Sequence, residues 1–166
     1  MKYLSIIFIF LISAFLSAIL NFYGNGWQYL QPFLIAVLLI YFNVDKIWLY
    51  YSFAFISGLF IDSFSGVFGL QTFIFLFIIW LLKNLQLTIF TSKNIVTIIV
   101  LSLFAFLFFW ASFYLANFLA DWELYVFNIK IIWQILKMMG LNMLIFISAH
   151  LLYYNLWLKK HERQSF

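Results

Sequence analysis

The stretch GLFIDSFSGVFGLQ, residues 58–71, decides how this chain folds, because it interrupts an apolar run that is too long for one helix. An uninterrupted helix from Ile47 to Leu82 would be about 54 Å long at 1.5 Å per residue. The hydrocarbon core of a bilayer is only about 30 Å thick. The glycines and serines of the stretch therefore predict a reversal between a third helix over residues 47–62 and a fourth over residues 69–82.

The composition is that of a protein that crosses a membrane several times. Of 166 residues, 67% are hydrophobic and 8% are charged, and the mean hydropathy is +1.10, whereas soluble domains carry about 25% charged residues. The absence of cysteine excludes disulfides and thiolate metal sites, and two histidines alone do not build a metal centre. The nine Lys and Arg residues stand singly or in a short tail. We therefore expect membrane lipid around the chain, no nucleic-acid partner and no cofactor.

Turn signals between the apolar segments predict six spans within one domain, residues 1–166. Besides the third and fourth, the spans cover residues 3–23, 29–44, 95–119 and 138–158. The first is longer than the apolar core of about 7 to 15 residues in a cleaved signal peptide, so we expect it to be retained. Residues 121–137 mix charges with Trp and Tyr and are expected to lie at the membrane interface. The predicted fold class is all-α, a polytopic six-helix bundle.

The distribution of basic residues predicts that both termini face the cytoplasm. With six spans in this orientation, the outside receives only Lys130 and Lys137. The inside receives seven basic residues, which are Lys2, Lys46, Lys83, Lys93, Lys159, Lys160 and Arg163. This asymmetry obeys the positive-inside rule, and the opposite orientation breaks it.

Asp62 lies near the outer end of the third span, and two interpretations of it remain open. A charge at the bilayer centre costs about 2.5 to 3.5 kcal/mol and less near the interface, so the carboxylate needs local partners. In one interpretation it accepts hydrogen bonds from Ser63, Ser65 and the free backbone N–H groups at the start of the fourth helix. In the other it binds an ion or a substrate.

Three glycines surround this carboxylate, and one lysine lies at a similar depth. Gly58, Gly66 and Gly69 permit close backbone approach and a sharp turn. Lys137 is predicted to begin the sixth span from the outside, which would allow an ion pair with Asp62.

Small residues in the first span predict a close helix contact. Ser13 with Ser17, and Ala14 with Ala18, are four residues apart and lie on adjacent faces. The contact at Ala14 and Ala18 is either internal or with another protein.

No pattern of residues indicates catalysis, so we expect this chain not to be an enzyme. It has no glycine-rich phosphate loop after a strand, no nucleophile elbow and no acidic pair at glycosidase spacing. Asp121 and Glu123 are expected to be solvated. His150 is interpreted as a hydrogen-bonded packing residue, with a proton relay as the alternative.

The segment Gly58-Leu-Phe-Ile-Asp62-Ser-Phe-Ser65-Gly66-Val-Phe-Gly69-Leu-Gln-Thr72 resembles the signature of the rod shape-determining protein MreD family. In that family a helix reads Gly-x-x-x-Asp, and a short turn with Ser and Gly leads to another helix. The chain length, the short hairpin after the second span and the basic C-terminal tail are also similar. The present turn lacks the proline and basic residues that occur in some members.

The resemblance implies a non-catalytic component of the bacterial machinery that elongates the lateral cell wall, in the cytoplasmic membrane. The implied partners are MreC, the actin-like MreB, the polymerase RodA and a class B transpeptidase. The implied structural or partner-binding motif consists of Gly58, Asp62, Ser65, Gly66 and Gly69.

The alternative function is that of a substrate-binding membrane subunit of an energy-coupling-factor-type vitamin transporter, because the MreD family is similar in fold to these six-helix proteins. A vitamin pocket needs several convergent polar groups. The outward half of this sequence offers Asp62, Gln71, Asn117 and Asn128, which are scattered singly.

Overall fold

The structure of the protein is a computed structural model that describes residues 2–23, 27–65, 67–89, 94–120 and 129–153. These residues form six α-helices and one 3-10 turn, Trp27–Tyr29, and contain no strand. The helices are α1 (Lys2–Tyr23), α2 (Pro32–Asn43), α3 (Ile47–Ser65), α4 (Leu70–Thr88), α5 (Ile95–Ala120) and α6 (Ile129–Tyr153). The all-helical prediction is confirmed for this part of the chain.

Five of the six helices, all except α2, are long and apolar enough to cross a membrane. This confirms a multi-pass membrane protein. Helix α2 has 12 residues, which gives it a length of about 18 Å at 1.5 Å per residue. It is shorter than the predicted span, residues 29–44. It begins at Pro32, whose missing N–H is harmless in a first turn, and its residues 33–38 are all buried. Protein rather than lipid surrounds this helix.

Ring contacts fix the direction in which the first three helices run. Tyr3 and Trp48, near the starts of α1 and α3, have ring centroids 6.5 Å apart. Further along, Phe10 of α1 lies 5.5 Å from Phe60 of α3. Because α1 and α3 are therefore parallel, α2 must run back between them, from the end of one to the start of the other. The short α2 thus has the direction of a full span.

The remaining helices continue this alternation. The carboxylate of Asp62 near the end of α3 contacts the start of α4, and the Tyr41 hydroxyl near the end of α2 donates to Gln86 Oε1 near the end of α4 at 2.7 Å. Phe109, in the second half of α5, packs against Phe75 in the first half of α4 at 6.2 Å. We call the end where α3 meets α4 (residues 62–72) the reversal end, and the end where α2 meets α3 (residues 43–47) the hairpin end.

Two polar contacts hold α6 parallel to α2. At the start of α2, the Asn142 side chain accepts from the Gln31 N–H at 3.0 Å and donates to the Tyr29 carbonyl at 3.2 Å. At its end, the Asn43 amide donates to the Leu39 carbonyl and lies 3.1 Å from His150 Nδ1. His150 is buried and stacks on Phe146 at 6.0 Å, which fits the interpretation of a packing histidine.

The predicted start of the sixth span at residue 138 is wrong, because α6 begins nine residues earlier, at Ile129. Lys130 and Lys137 therefore lie inside the helix rather than before it. Both are exposed, and long lysine stems can cover apolar surface while the ammonium reaches water. The two lysines are therefore compatible with a helical structure of residues 129–137, the part of α6 that the sequence pattern predicted to lie at the membrane interface. Residues 121–128 of that interface segment, and residues 154–158 of the sixth span, lie outside the described residues.

Candidate functional site at the joint of α3 and α4

The carboxylate of Asp62 joins the end of α3 to the first turn of α4. Its Oδ1 accepts the backbone N–H of Gln71 at 2.8 Å, and its Oδ2 accepts the backbone N–H of Thr72 at 3.0 Å and the Thr72 hydroxyl at 2.6 Å. The first N–H groups of any helix lack partners within that helix, and their partial positive charge attracts an anion. Asp62 therefore caps α4 from the preceding helix, and only 3% of it is exposed.

Gly69 explains why the cap must come from elsewhere. It occupies the position just before α4 with φ of +91° and offers no side-chain hydrogen bond. A left-handed backbone costs an ordinary residue about 1–2 kcal/mol, so glycine is favoured for the sharp turn. Because glycine has no side chain to cap the helix, the acceptor has to be supplied by another part of the chain.

Gly58 makes room for this contact one helical turn before Asp62, on the same buried face of α3. A Cβ atom at Gly58 would clash with Thr72 Cα and would lie 2.7 Å from Thr72 N. The first turn of α4 thus rests directly on the backbone of α3. Gly58 and Asp62 act together, because the first permits the approach that lets the second reach Gln71 and Thr72.

The serines near Asp62 do not donate to its carboxylate, and this part of the capping prediction is wrong. The Ser63 hydroxyl donates to the Phe60 carbonyl at 2.7 Å, and the Ser65 hydroxyl lies 3.3 Å from the Asp62 carbonyl and 3.4 Å from the Val67 carbonyl. The last carbonyls of a helix lack intrahelical partners. Ser65 therefore contacts one of these last carbonyls, that of Asp62, whereas Ser63 donates to a carbonyl one turn earlier in α3. Gly66 lies outside the described residues.

Lys137 and Asp62 do not come together. Lys137 is exposed on α6, whereas Asp62 is buried and its carboxylate receives its hydrogen bonds from α4. Within the described ranges no ion pair joins the two. The physical reason is the early start of α6, which places Lys137 well inside the helix on its outward side.

The small residues of α1 divide between the bundle and its surface. Ala14 is partly buried and packs against the hydrophobic core, while Ala18 is exposed. The buried Ser13 donates its hydroxyl to the Ile9 carbonyl at 2.9 Å within the same helix. Ala14 therefore contributes to an internal contact, and Ala18 does not.

A cavity of about 420 Å³ lies beside the joint, at the reversal end. The ends of α1 and α3, the starts of α2 and α4 and the second half of α5 all contribute to it. Its polar lining residues are Ser17, Asn21, Gln31, Ser65, Gln71 and Trp110. Sequence reasoning treated Gln71 as an isolated polar residue and missed this convergence. The signal was available, because Asn21, Gln31 and Gln71 all lie at helix ends that the alternating topology brings to one level.

The residues around the joint do not suggest a metal site. Within the described part of the chain, no group of three or more His, Cys, Asp or Glu residues is arranged to hold a metal ion. Asp121 and Glu123 lie outside it.

Comparison with protein-family models, with characterised proteins and with solved structures finds no match to this chain. The family resemblance therefore stays a prediction that rests on the motif of residues 58–72.

Replacement of Gly58 by alanine should destabilise the fold, because the new methyl group meets the backbone of Thr72. Overpacking of this kind costs about 1–3 kcal/mol. We expect a lower melting temperature of the purified protein in detergent, followed by circular dichroism. Gly140→Ala is the matched control, because no atom lies within 4 Å of its Cβ position, and its melting temperature should be equal or higher. Equal melting of the two variants would show that α3 and α4 separate at little cost.

Asp62→Asn should be milder than Asp62→Leu, but clearly worse than wild type. Three groups donate to the Asp62 carboxylate: the backbone N–H groups of Gln71 and Thr72 and the Thr72 hydroxyl. The asparagine side chain offers them one oxygen and places its own NH2 group beside another donor. Leucine leaves all three donors unpaired. A buried unpaired donor costs about 1–3 kcal/mol. Folded yield and melting temperature in detergent should fall in the order wild type, Asp62→Asn, Asp62→Leu. Thr72→Ser keeps every donor and serves as the control. Normal folding of Asp62→Asn combined with loss of partner binding would identify Asp62 as a recognition residue instead.

Proposed function

We propose that this chain is a non-catalytic scaffold subunit of the bacterial machinery that elongates the lateral cell wall, located in the cytoplasmic membrane. Its partners in this proposal are MreC, MreB, RodA and a class B transpeptidase. The proposal rests on the motif that resembles the MreD family.

The observation that carries this proposal is the structural role of the motif residues at the joint of α3 and α4. Three motif residues form this joint together. Gly58 permits the close approach of the helices, Gly69 the sharp turn, and Asp62 caps α4. Both oxygens of the Asp62 carboxylate are engaged by α4, and no other titratable side chain is hydrogen-bonded to it in the described structure. A signature that fixes helix geometry suits a subunit that works by holding other proteins together.

The surface of α1 also supports a scaffold. Only 11% of the residues in the most apolar part of α1 are buried within the bundle, so most of the helix faces lipid or partner proteins. Its exposed large side chains include Leu4, Phe8, Leu11 and Phe15. An outer helix of this kind offers a long apolar face for contact with the spans of partner subunits.

We propose further that the hairpin end faces the cytoplasm. The Tyr3–Trp48 contact and the contact of His150 with Asn43 place the beginning of α1 and the end of α6 at this end. Lys46 lies in the hairpin itself, and Lys83 lines a small cavity there with Asp45. The positive-inside rule then orients the bundle.

A reporter fusion tests this orientation. Alkaline phosphatase, which is active only outside the cytoplasm, should be inactive when fused after Phe166 and active when inserted between Tyr23 and Trp27. A cytoplasmic reporter at the same two positions should give the reverse pattern. Phosphatase activity after Phe166 would contradict the proposed orientation.

Depletion in a rod-shaped host tests the function. Because the proposed role is assembly, cells depleted of the chain should become round, while the polymerase purified from them keeps its activity. Wild type and Ser52→Leu, an exposed change on α3, should restore the rod shape, and Gly58→Leu should not. The tagged wild type should co-purify with wall-elongation proteins. Depleted cells that stay rod-shaped, together with purified protein that binds a vitamin, would favour the transporter subunit instead.

A further inference from the structure

Two buried polar atoms, each in a residue that lines the cavity at the reversal end, have no hydrogen-bond partner among the described residues. They are Gln71 Oε1 and Trp110 Nε1. The two residues are 8% and 7% exposed, and both line the cavity. An amide oxygen can only accept a hydrogen bond, and an indole N–H can only donate one. Because buried polar groups in native proteins are nearly always paired, this combination indicates a missing partner.

The backbone of Gln71 and the side chain of Trp110 are each held in place by contacts within the protein. The backbone of Gln71 is fixed by the hydrogen bond to Asp62. The indole of Trp110 packs edge-on against Phe109 at 5.4 Å and tilted against Tyr29 at 5.7 Å. The indole N–H donor is therefore preorganised, which lowers the entropic cost of binding a ligand.

The lining of the cavity limits the chemistry of that ligand. None of the lining residues carries a charge, and the apolar members include Leu30, Phe33, Ile61, Phe64 and Leu70. A charged ligand would find no counter-ion there. The volume of about 420 Å³ falls within the range of about 300–1,000 Å³ that is usual for small-molecule sites.

We propose that this cavity binds the head of an uncharged, hydroxyl-bearing amphiphile from the membrane. Hydroxyl groups both donate and accept, so such a head can donate to Gln71 Oε1 and accept from the Trp110 N–H. The hydrocarbon part lies against the aromatic and aliphatic lining. The cavity lies at the reversal end of the bundle, and the end of a membrane-spanning bundle is expected near the level of the lipid headgroups. This site is independent of the proposed scaffold function, because it uses none of the contacts assigned to partners.

Monoolein is a suitable probe, because it combines an oleoyl chain with two hydroxyl groups and carries no charge. The full chain is purified in lauryldimethylamine oxide, whose head has no hydroxyl group to compete. Equilibrium dialysis of labelled monoolein should show saturable binding of one molecule per chain above partition into micelles. Glycerol alone and methyl oleate, which lack the chain and the hydroxyl groups respectively, should bind at least tenfold more weakly.

Two variants locate the site. Trp110→Phe and Gln71→Met each remove one polar partner, and each should weaken monoolein binding at least tenfold. Trp133→Phe is the control, because Trp133 is 72% exposed on α6 and lies outside the cavity lining. Monoolein should also raise the melting temperature of wild type and Trp133→Phe, but not that of Trp110→Phe.

Folding of the variants does not obscure the result. The indole N–H has no partner among the described residues, so any loss of stability in ligand-free Trp110→Phe comes from its smaller ring, and the shift caused by monoolein is measured against the ligand-free melting temperature of each variant. Binding that is not saturable, or equal affinity of Trp110→Phe and Trp133→Phe, would overturn the proposal. Glycerol that binds as tightly as monoolein would also overturn it, by identifying a soluble polyol site. None of these outcomes depends on cell shape, which tests the scaffold function.

Discussion

The hydrogen bonds between the Asp62 carboxylate and the first turn of α4 are the constraint on which the arrangement of this bundle depends. Inside a membrane, a backbone N–H that finds no protein partner finds no water either. A helix that begins near the hydrocarbon boundary therefore needs an acceptor nearby. The chain supplies this acceptor from the preceding helix, so the requirement of one helix end fixes how two helices pack.

The joint also shows why apolar surface alone does not hold such a bundle together. Lipid tails are as apolar as leucine, so side chains gain little by leaving lipid for protein, and close packing and polar contacts decide the register. Gly58 provides the close packing at Thr72. Polar contacts align α6 with α2 in the same way. Asn142 makes them at the start of α2, and the Asn43–His150 contact lies at its end. Each of these contacts thus marks a level at which two helices are aligned.

Much of this fold could be predicted from the sequence, because apolar length and turn residues are local signals. The break between α3 and α4 and the capping role of Asp62 follow from the glycines and from one carboxylate in an apolar run. The donors could not be deduced, since Ser63 and Ser65 are adjacent to Asp62 but point to carbonyls of their own helix. Lys130 and Lys137 concealed the start of α6, because a charge count does not show which helix face the charges occupy.

The cavity was not predicted, although the polar residues at the helix ends gave a signal, because its location depends on the helix topology. Gln71 and Trp110 are distant in sequence, and only the alternation of six helices brings the start of α4 and the second half of α5 to one level. That alternation depends on α2, whose 12 helical residues are few for a span. Burial within the other helices makes a short α2 sufficient, because it contacts protein where a lipid-facing helix would have to match the bilayer. The helix that is weakest as a span in the sequence is therefore the one that sets the topology.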